Sequence, residues 1–138
     1  MKKTSKWGVI PYKYDSKGCV KFLLVSTLRG KWVFPKGNLI KKLGPNRTAK
    51  LEAYEEAGVA GAIWKKAFTI KVGSKKFFFF PMAVSKVFND WPEATFRARK
   101  WVDPLEAGKL LDRKPYNRVL TMAIDTLVLD TVNISKKL

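Results

Sequence analysis

The longest apolar run in the chain is Phe77-Phe78-Phe79-Phe80-Pro81-Met82-Ala83-Val84. It is far shorter than the roughly 20 residues that a membrane-spanning helix needs. A short unbroken apolar run reads as a strand buried on both faces, in preference to a platform for stacking bases. The fold must therefore cover a sheet from two sides. A chain of 138 residues can do so, because a chain near 150 residues buries roughly 68–70% of its unfolded surface. With 46% hydrophobic residues, 5 Trp and 9 Phe, disorder is excluded despite the charge, since each aromatic supplies a large burial.

The remaining elements follow from local signals. Strands are predicted over 7–14 and 20–27, with Asp15-Ser16-Lys17-Gly18 as the turn between them. A short strand at 32–34 is stopped by Pro35-Lys36-Gly37, read as a loop. Pro45 opens a helix through Ala49, Leu51 and Ala53, which Gly58 ends as its C′ residue. Residues 63–72 and 76–87 read as one long hairpin about Gly73-Ser74, and 97–102 as a further strand. Asp103 caps a short helix with Pro104 at its first position. Pro115 opens a final helix whose Val119, Met122, Ala123, Leu127 and Leu129 form an apolar stripe. No repeat or linker interrupts residues 1–138, so the expectation is a single α+β domain with a mixed β-sheet sandwiched between α-helices.

The chain contains no histidine and one cysteine, Cys19. That removes Ser-His-Asp hydrolysis, Cys-His proteolysis and His-ligated zinc or haem, along with any internal disulfide. Against 11 Asp and Glu stand 28 Lys and Arg, a net charge of +17. Such a charge points to nucleic acid, acidic lipid, a small molecule carrying several phosphates, or simply a solvated surface. The start, Met1-Lys2-Lys3-Thr4-Ser5-Lys6, resembles a signal-peptide n-region, but the apolar stretch after it is too short for an h-region. The expectation is a soluble cytoplasmic protein with no membrane partner.

Three of the few carboxylates, Glu52, Glu55 and Glu56, fall within five residues. The i, i+3, i+4 spacing places them on one helix face, where like charges repel by a few tenths of a kcal/mol per pair. A divalent cation reverses the sign of that interaction, and three oxygen donors suit Mg²⁺ or Mn²⁺. Gly37 lies fifteen residues before Glu52, and Gly58-Val59 follows Glu56. Gly37, Glu52, Ala53, Glu55, Glu56, Gly58 and Val59 together resemble the Nudix box. Two positions depart from it. Leu43 stands where that family has its first Glu, and Leu51 where it has the Arg before the metal-binding Glu. Exchanging an ion pair for apolar packing is often neutral for stability, so the departures bear on catalytic geometry.

The resemblance covers roughly residues 7–120. Val25 to Arg29, Trp32 to Gly37, Asp90-Trp91-Pro92-Glu93 and Arg97 to Trp101 are similar to the diphosphoinositol polyphosphate phosphohydrolase branch. It implies metal-dependent hydrolysis of a diphosphate linkage, with Glu52 and Glu56 as ligands of Mg²⁺ or Mn²⁺ and Glu55 as general base. In a chain without histidine, a carboxylate or the metal must activate water. By the same resemblance Thr27, Arg29, Lys36, Gly37, Lys75, Lys76, Arg97 and Lys114 bind a polyanionic substrate of the diphosphoinositol or diadenosine polyphosphate type. Two alternatives stand beside this: removal of diphosphate from an RNA 5′ end, and a binding or sensor module without turnover, which Leu43 and Leu51 motivate.

Overall fold

In the computed structural model the backbone is described for residues 4–137 and the side chains for residues 4–127. Two strands form its centre, β1 (Thr4–Tyr14) and β7 (Lys75–Val87), paired in parallel from Thr4 opposite Lys75 to Tyr12 opposite Ala83. The apolar run lies in β7. Phe79 and Phe80, which point to opposite faces, are 0% and 3% exposed. The doubly buried strand expected from the run is what the chain builds.

Each central strand divides its outer edge between two partners. Along β1, β4 (Lys36–Asn38) pairs with residues 6–8, and β2 (Val20–Ser26) pairs with residues 12–14, both antiparallel. Along β7, β6 (Phe68–Val72) pairs with residues 75–79 and β5 (Val59–Ile63) with residues 82–87. β2 also carries β3 (Trp32–Val33) and β8 (Arg99–Val102). The result is a mixed eight-stranded sheet.

Three helices flank it. Helix α1 (Gly44–Glu52) continues into a π-helical turn, Ala53–Ala57, and packs on β1, β4 and β5. Its contact face is Ala49, Ala53 and Ala57, all fully buried, and their small side chains bring the helix backbone close to the sheet. Helix α2 (Pro104–Leu110) lies on β2, and α3 (Tyr116–Lys137) lies on β6 and α2. Val119, Ala123 and Leu127 are buried as the stripe predicts; the side chain of Leu129 lies outside the described residues. Tyr116 meets Phe34 and Phe79 edge-on, with ring centroids 6.5 and 6.0 Å apart.

Three expectations need correction. Lys36 and Gly37, read as part of a loop, belong to β4, because Gly8 leaves room for the Pro35 carbonyl, which accepts from the Val9 N–H at 3.1 Å. The strand predicted over 63–72 is two strands, β5 and β6, with residues 64–67 between them. The interruption lies opposite Phe80 and Pro81, where proline has no N–H for the ladder. The strand predicted from Arg97 starts at Arg99, because the Arg97 side chain is turned back onto Glu93 and the Ser26 carbonyl.

Candidate active site

Helix α1 and its π-turn carry the acidic cluster, and the turn changes which carboxylates meet. The wider i→i+5 turn keeps residue i+4 near residue i and swings i+3 aside. Glu52 and Glu56 share a hydrogen bond. Glu55 does not join them as a third donor: among the described residues, no group of three His, Cys, Asp or Glu side chains is set to hold a metal. Glu55 remains close enough to push the Glu52 carboxyl upward by its charge.

Glu56 is 7% exposed, one of two buried polar side chains among the described residues. Its Oε1 lies 3.4 Å from the Lys36 backbone N–H and 3.8 Å from Nη2 of Arg97. Burial pushes its pKa up to about 8; Arg97 pulls it down, while Glu52 and Glu93 add to the rise. Burial also raises Glu52, with Glu55 and Glu93 adding to it and Lys36 opposing. Burial thus favours the protonated form of this pair. Burial lowers the pKa of the Lys36 ammonium, and the Glu56 carboxylate opposes that shift.

Gly37 forms the wall beside Glu52. A Cβ built on Gly37 would lie 2.3 Å from the Glu52 carboxyl carbon, so only glycine lets that carboxylate lie against the β4 backbone. Two hydrogen-bonded carboxyls on adjacent turns, one against bare backbone, fit a hard divalent cation. Mg²⁺ is held by one or two carboxylates and completes its shell with waters and substrate phosphates.

Two clefts carry residues that contact Glu56. One, of about 350 Å³, is lined by Thr27, Leu28, Arg29, Lys31, Arg97 and Arg113. The other, of about 180 Å³, is lined by Lys6, Lys36, Lys75, Phe77, Arg113, Lys114, Pro115 and Tyr116. Arg113 lines both, and no carboxylate lines either. Arg97, in the lining of the first cleft, contacts Glu56 through its guanidinium, and Lys36, in the lining of the second, through its backbone N–H. The Thr27 hydroxyl accepts from the Lys31 N–H at 3.1 Å, which leaves its own hydrogen free to donate.

Thr27, Arg29 and Arg97 thus line the first cleft and Lys36, Lys75 and Lys114 the second, while Gly37 lies against Glu52. Lys76 is not among them. It lines a separate cavity of about 510 Å³ with Trp7, Lys71 and Phe78, its ammonium 5.8 Å from the Phe78 ring centre. Strand alternation carries the signal, because Lys75 and Lys76 are neighbours on one strand and must face opposite sides. Arg97 is more occupied than a free substrate cation, with Nε 2.7 Å from Glu93 and Nη1 2.8 Å from the Ser26 carbonyl. Sequence reasoning missed Arg113, Lys31 and Lys6, whose only signal was charge next to residues already singled out. Leu43 sits half-buried at the start of α1 and supplies no side-chain cap; Leu51 is half-buried near its end.

Solved structures share this architecture. The C. elegans Ap4A hydrolase superposes with a TM-score of 0.64 at 17% identity, over 92% of this chain and 99% of that one. A binary complex of the C. elegans enzyme gives a TM-score of 0.64 at 18% identity. The chain has the Nudix fold. Among curated proteins, it is 34% identical over 117 residues to Nudix hydrolase 4 of Arabidopsis thaliana, covering 75% of this chain and 56% of that protein. It is 35% identical over 113 residues to the Arabidopsis thaliana protein named Nudix hydrolase 21, chloroplastic, covering 75% of this chain and 57% of that one. A third relative, Nudix hydrolase 12, mitochondrial, from the same plant is 33% identical over 129 residues, covering 75% of this chain and 64% of that protein. The chain therefore spans less than two thirds of the length of these curated relatives. No family model matches it. These likenesses support placement in the Nudix superfamily. Among the described residues no helix is long and apolar enough to cross a membrane.

Proposed function

We propose that this chain is a Nudix diphosphate hydrolase acting on a small molecule crowded with phosphates, of the diphosphoinositol or diadenosine polyphosphate type. The observation that carries the reading is Glu56, buried in contact with Arg97 and with the Lys36 backbone, each of which lines a cleft rich in cations and without a carboxylate. Phosphates spread along both clefts would meet Arg29 in the first, Lys75 and Lys114 in the second, and Arg113, which lines both. Contacts of this kind favour each added phosphate and weaken as salt screens them.

Glu52 and Glu56 would hold Mg²⁺ or Mn²⁺, and binding must displace the proton they share. The chemistry such an ion supplies is charge neutralisation on the phosphates and activation of water. Glu55, half-buried and outside that pair, is the general base of this reading. Lys36 stands against Glu56, where its charge meets the diphosphate as it is cleaved.

The test is phosphate release from a panel: a diphosphoinositol polyphosphate, a diadenosine polyphosphate, a nucleotide sugar and an RNA with a 5′ diphosphate. Each is measured with Mg²⁺, with Mn²⁺ and with EDTA. Metal-dependent release that is greatest for the most phosphorylated small molecule is expected. Release from the RNA alone would move the assignment to RNA 5′ ends. Tight binding without release would make the chain a sensor, as Leu43 and Leu51 would allow.

A further inference from the structure

The last carbonyls of a helix have no partner within it, and here one downstream segment supplies them all. The Glu55 carbonyl accepts from the Glu93 N–H at 3.0 Å, and the Glu56 carbonyl from the Trp91 indole N–H at 3.0 Å. The Ala57 carbonyl accepts from Arg99 Nη1 at 2.8 Å, and the Gly58 carbonyl from the Phe88 N–H at 2.8 Å. Arg99 also donates to the Phe88 carbonyl at 2.6 Å and stacks 3.9 Å over the Trp91 ring. The contact is close: a Cβ on Gly58 would lie 2.6 Å from Arg99 Nη1 and 2.9 Å from Trp91 Cβ. Two residues before Arg99, on the same segment, Arg97 places its guanidinium 3.8 Å from the Glu56 carboxylate.

We propose that Trp91, Arg97 and Arg99 form a clamp that positions Glu56, holding its carbonyl, its carboxylate and the turn around it. The inference rests on Glu56 being a metal ligand, as set out above. A π-turn is a rare conformation. The segment that stabilises this one by hydrogen bonds to consecutive carbonyls also fixes the direction of the carboxylates it bears. In this chain Leu43 and Leu51 stand where the resemblance places the two charged residues that orient those carboxylates in Nudix proteins. A guanidinium still reaches Glu56, but from the approach to β8 and not from the helix.

Three substitutions in the full chain test the clamp. Trp91→Phe keeps the ring under Arg99 and removes one N–H. Arg99→Lys keeps the charge and loses the fork, and Arg97→Lys does the same beside Glu56. Each is measured for Mn²⁺ binding to the protein alone, by the spin-resonance signal of free Mn²⁺, for kcat and KM, and for thermal unfolding in EDTA. Outer partners of metal ligands typically change metal affinity by about 10- to 100-fold. The expected result is a Mn²⁺ affinity weakened by about 10-fold or more and a lower kcat, with KM little changed for Trp91→Phe and Arg99→Lys, whose residues line neither cleft. Variants that melt earlier but bind Mn²⁺ as the unaltered protein does would overturn the clamp and reduce the segment to a stabilising contact. Trp91→Phe, the mildest change, decides the matter if Arg99→Lys does not fold. If the unaltered protein binds no Mn²⁺, the functional reading fails and the clamp with it. If it binds and the three variants bind equally well, only the clamp fails.

Discussion

Between pH 5 and pH 8 the metal-free protein should lose stability as the pH rises, and Glu56→Gln should abolish most of that slope. The Glu56 carboxyl has an ordinary value of 4.5 and a folded-state value of about 8, because burial penalises its charge more than Arg97 relieves it. Within that window the folded chain holds a proton that the unfolded chain has released. Stability rises with pH only where the unfolded state binds more protons, so here it must fall. The contribution is fully present below pH 4.5 and is lost as the pH passes 8. At 1.36 kcal/mol per pKa unit the loss is about 5 kcal/mol. Glu52 shares the proton, so this figure is a ceiling for the pair and not for each member. The chain has no histidine, the side chain whose ordinary pKa falls in this window.

The assay is urea unfolding at pH 5, 6, 7 and 8, with and without Mg²⁺, for the unaltered chain and for Glu56→Gln. At about 2.5 kcal/mol per molar urea, the full effect would move the midpoint by about 2 M. Gln imitates the protonated acid, so the variant should match the unaltered protein at pH 5 and exceed it at pH 8. Mg²⁺ needs the ionised pair and should stabilise the unaltered protein at pH 8 and hardly at pH 5. A flat or rising profile for the unaltered chain, or an equal slope in the variant, would refute the burial argument.

Gly37→Ala would drive a methyl into the Glu52 carboxyl. That is the mobile end of a side chain, so metal-dependent turnover should fall about 10-fold or more, while the unfolding midpoint in EDTA shifts little. Gly58 has φ +64° with Arg99 and Trp91 against it, and Gly58→Ala should lower stability by about 2 kcal/mol in urea titration, from the left-handed backbone and the crowding together. Lys75→Ala should raise KM for a multiply phosphorylated substrate several-fold, and less at high salt, because Lys75 lines the same cleft as Lys36, Arg113 and Lys114. Lys76→Ala, on the opposite face, should leave KM unchanged; equal effects would mean that bulk charge and not the cleft governs binding.

Much of this protein could be read residue by residue because the signals are local. The apolar run announced a doubly buried strand, Gly73-Ser74 the two-residue turn between Val72 and Lys75, and Asp103 the helix start, where its carboxylate accepts from the Glu106 N–H at 2.8 Å. The spacing of Glu52, Glu55, Glu56 and Gly58 located the candidate site on one helix. Which carboxylates face each other was not legible, because an α-helical wheel puts all three on one side, while the π-turn, held by carbonyl contacts from residues 88–99, pairs Glu52 with Glu56. β4 was equally hidden, since Lys36-Gly37-Asn38 carries loop residues and becomes a strand only against Gly8. Charge alone could not sort the cations either. Arg97 belongs partly to Glu93 and Glu56, Lys76 to the far face, and Arg113 to the junction of the clefts. Sequence by itself determined the elements and the chemistry they carry, because propensity and periodicity act over a few residues. Tertiary structure decided burial and partnership, because the pKa of Glu56 depends on its burial and on Arg97 and Glu93, and the place of its carboxylate on Arg97 and the Lys36 N–H, all distant in sequence.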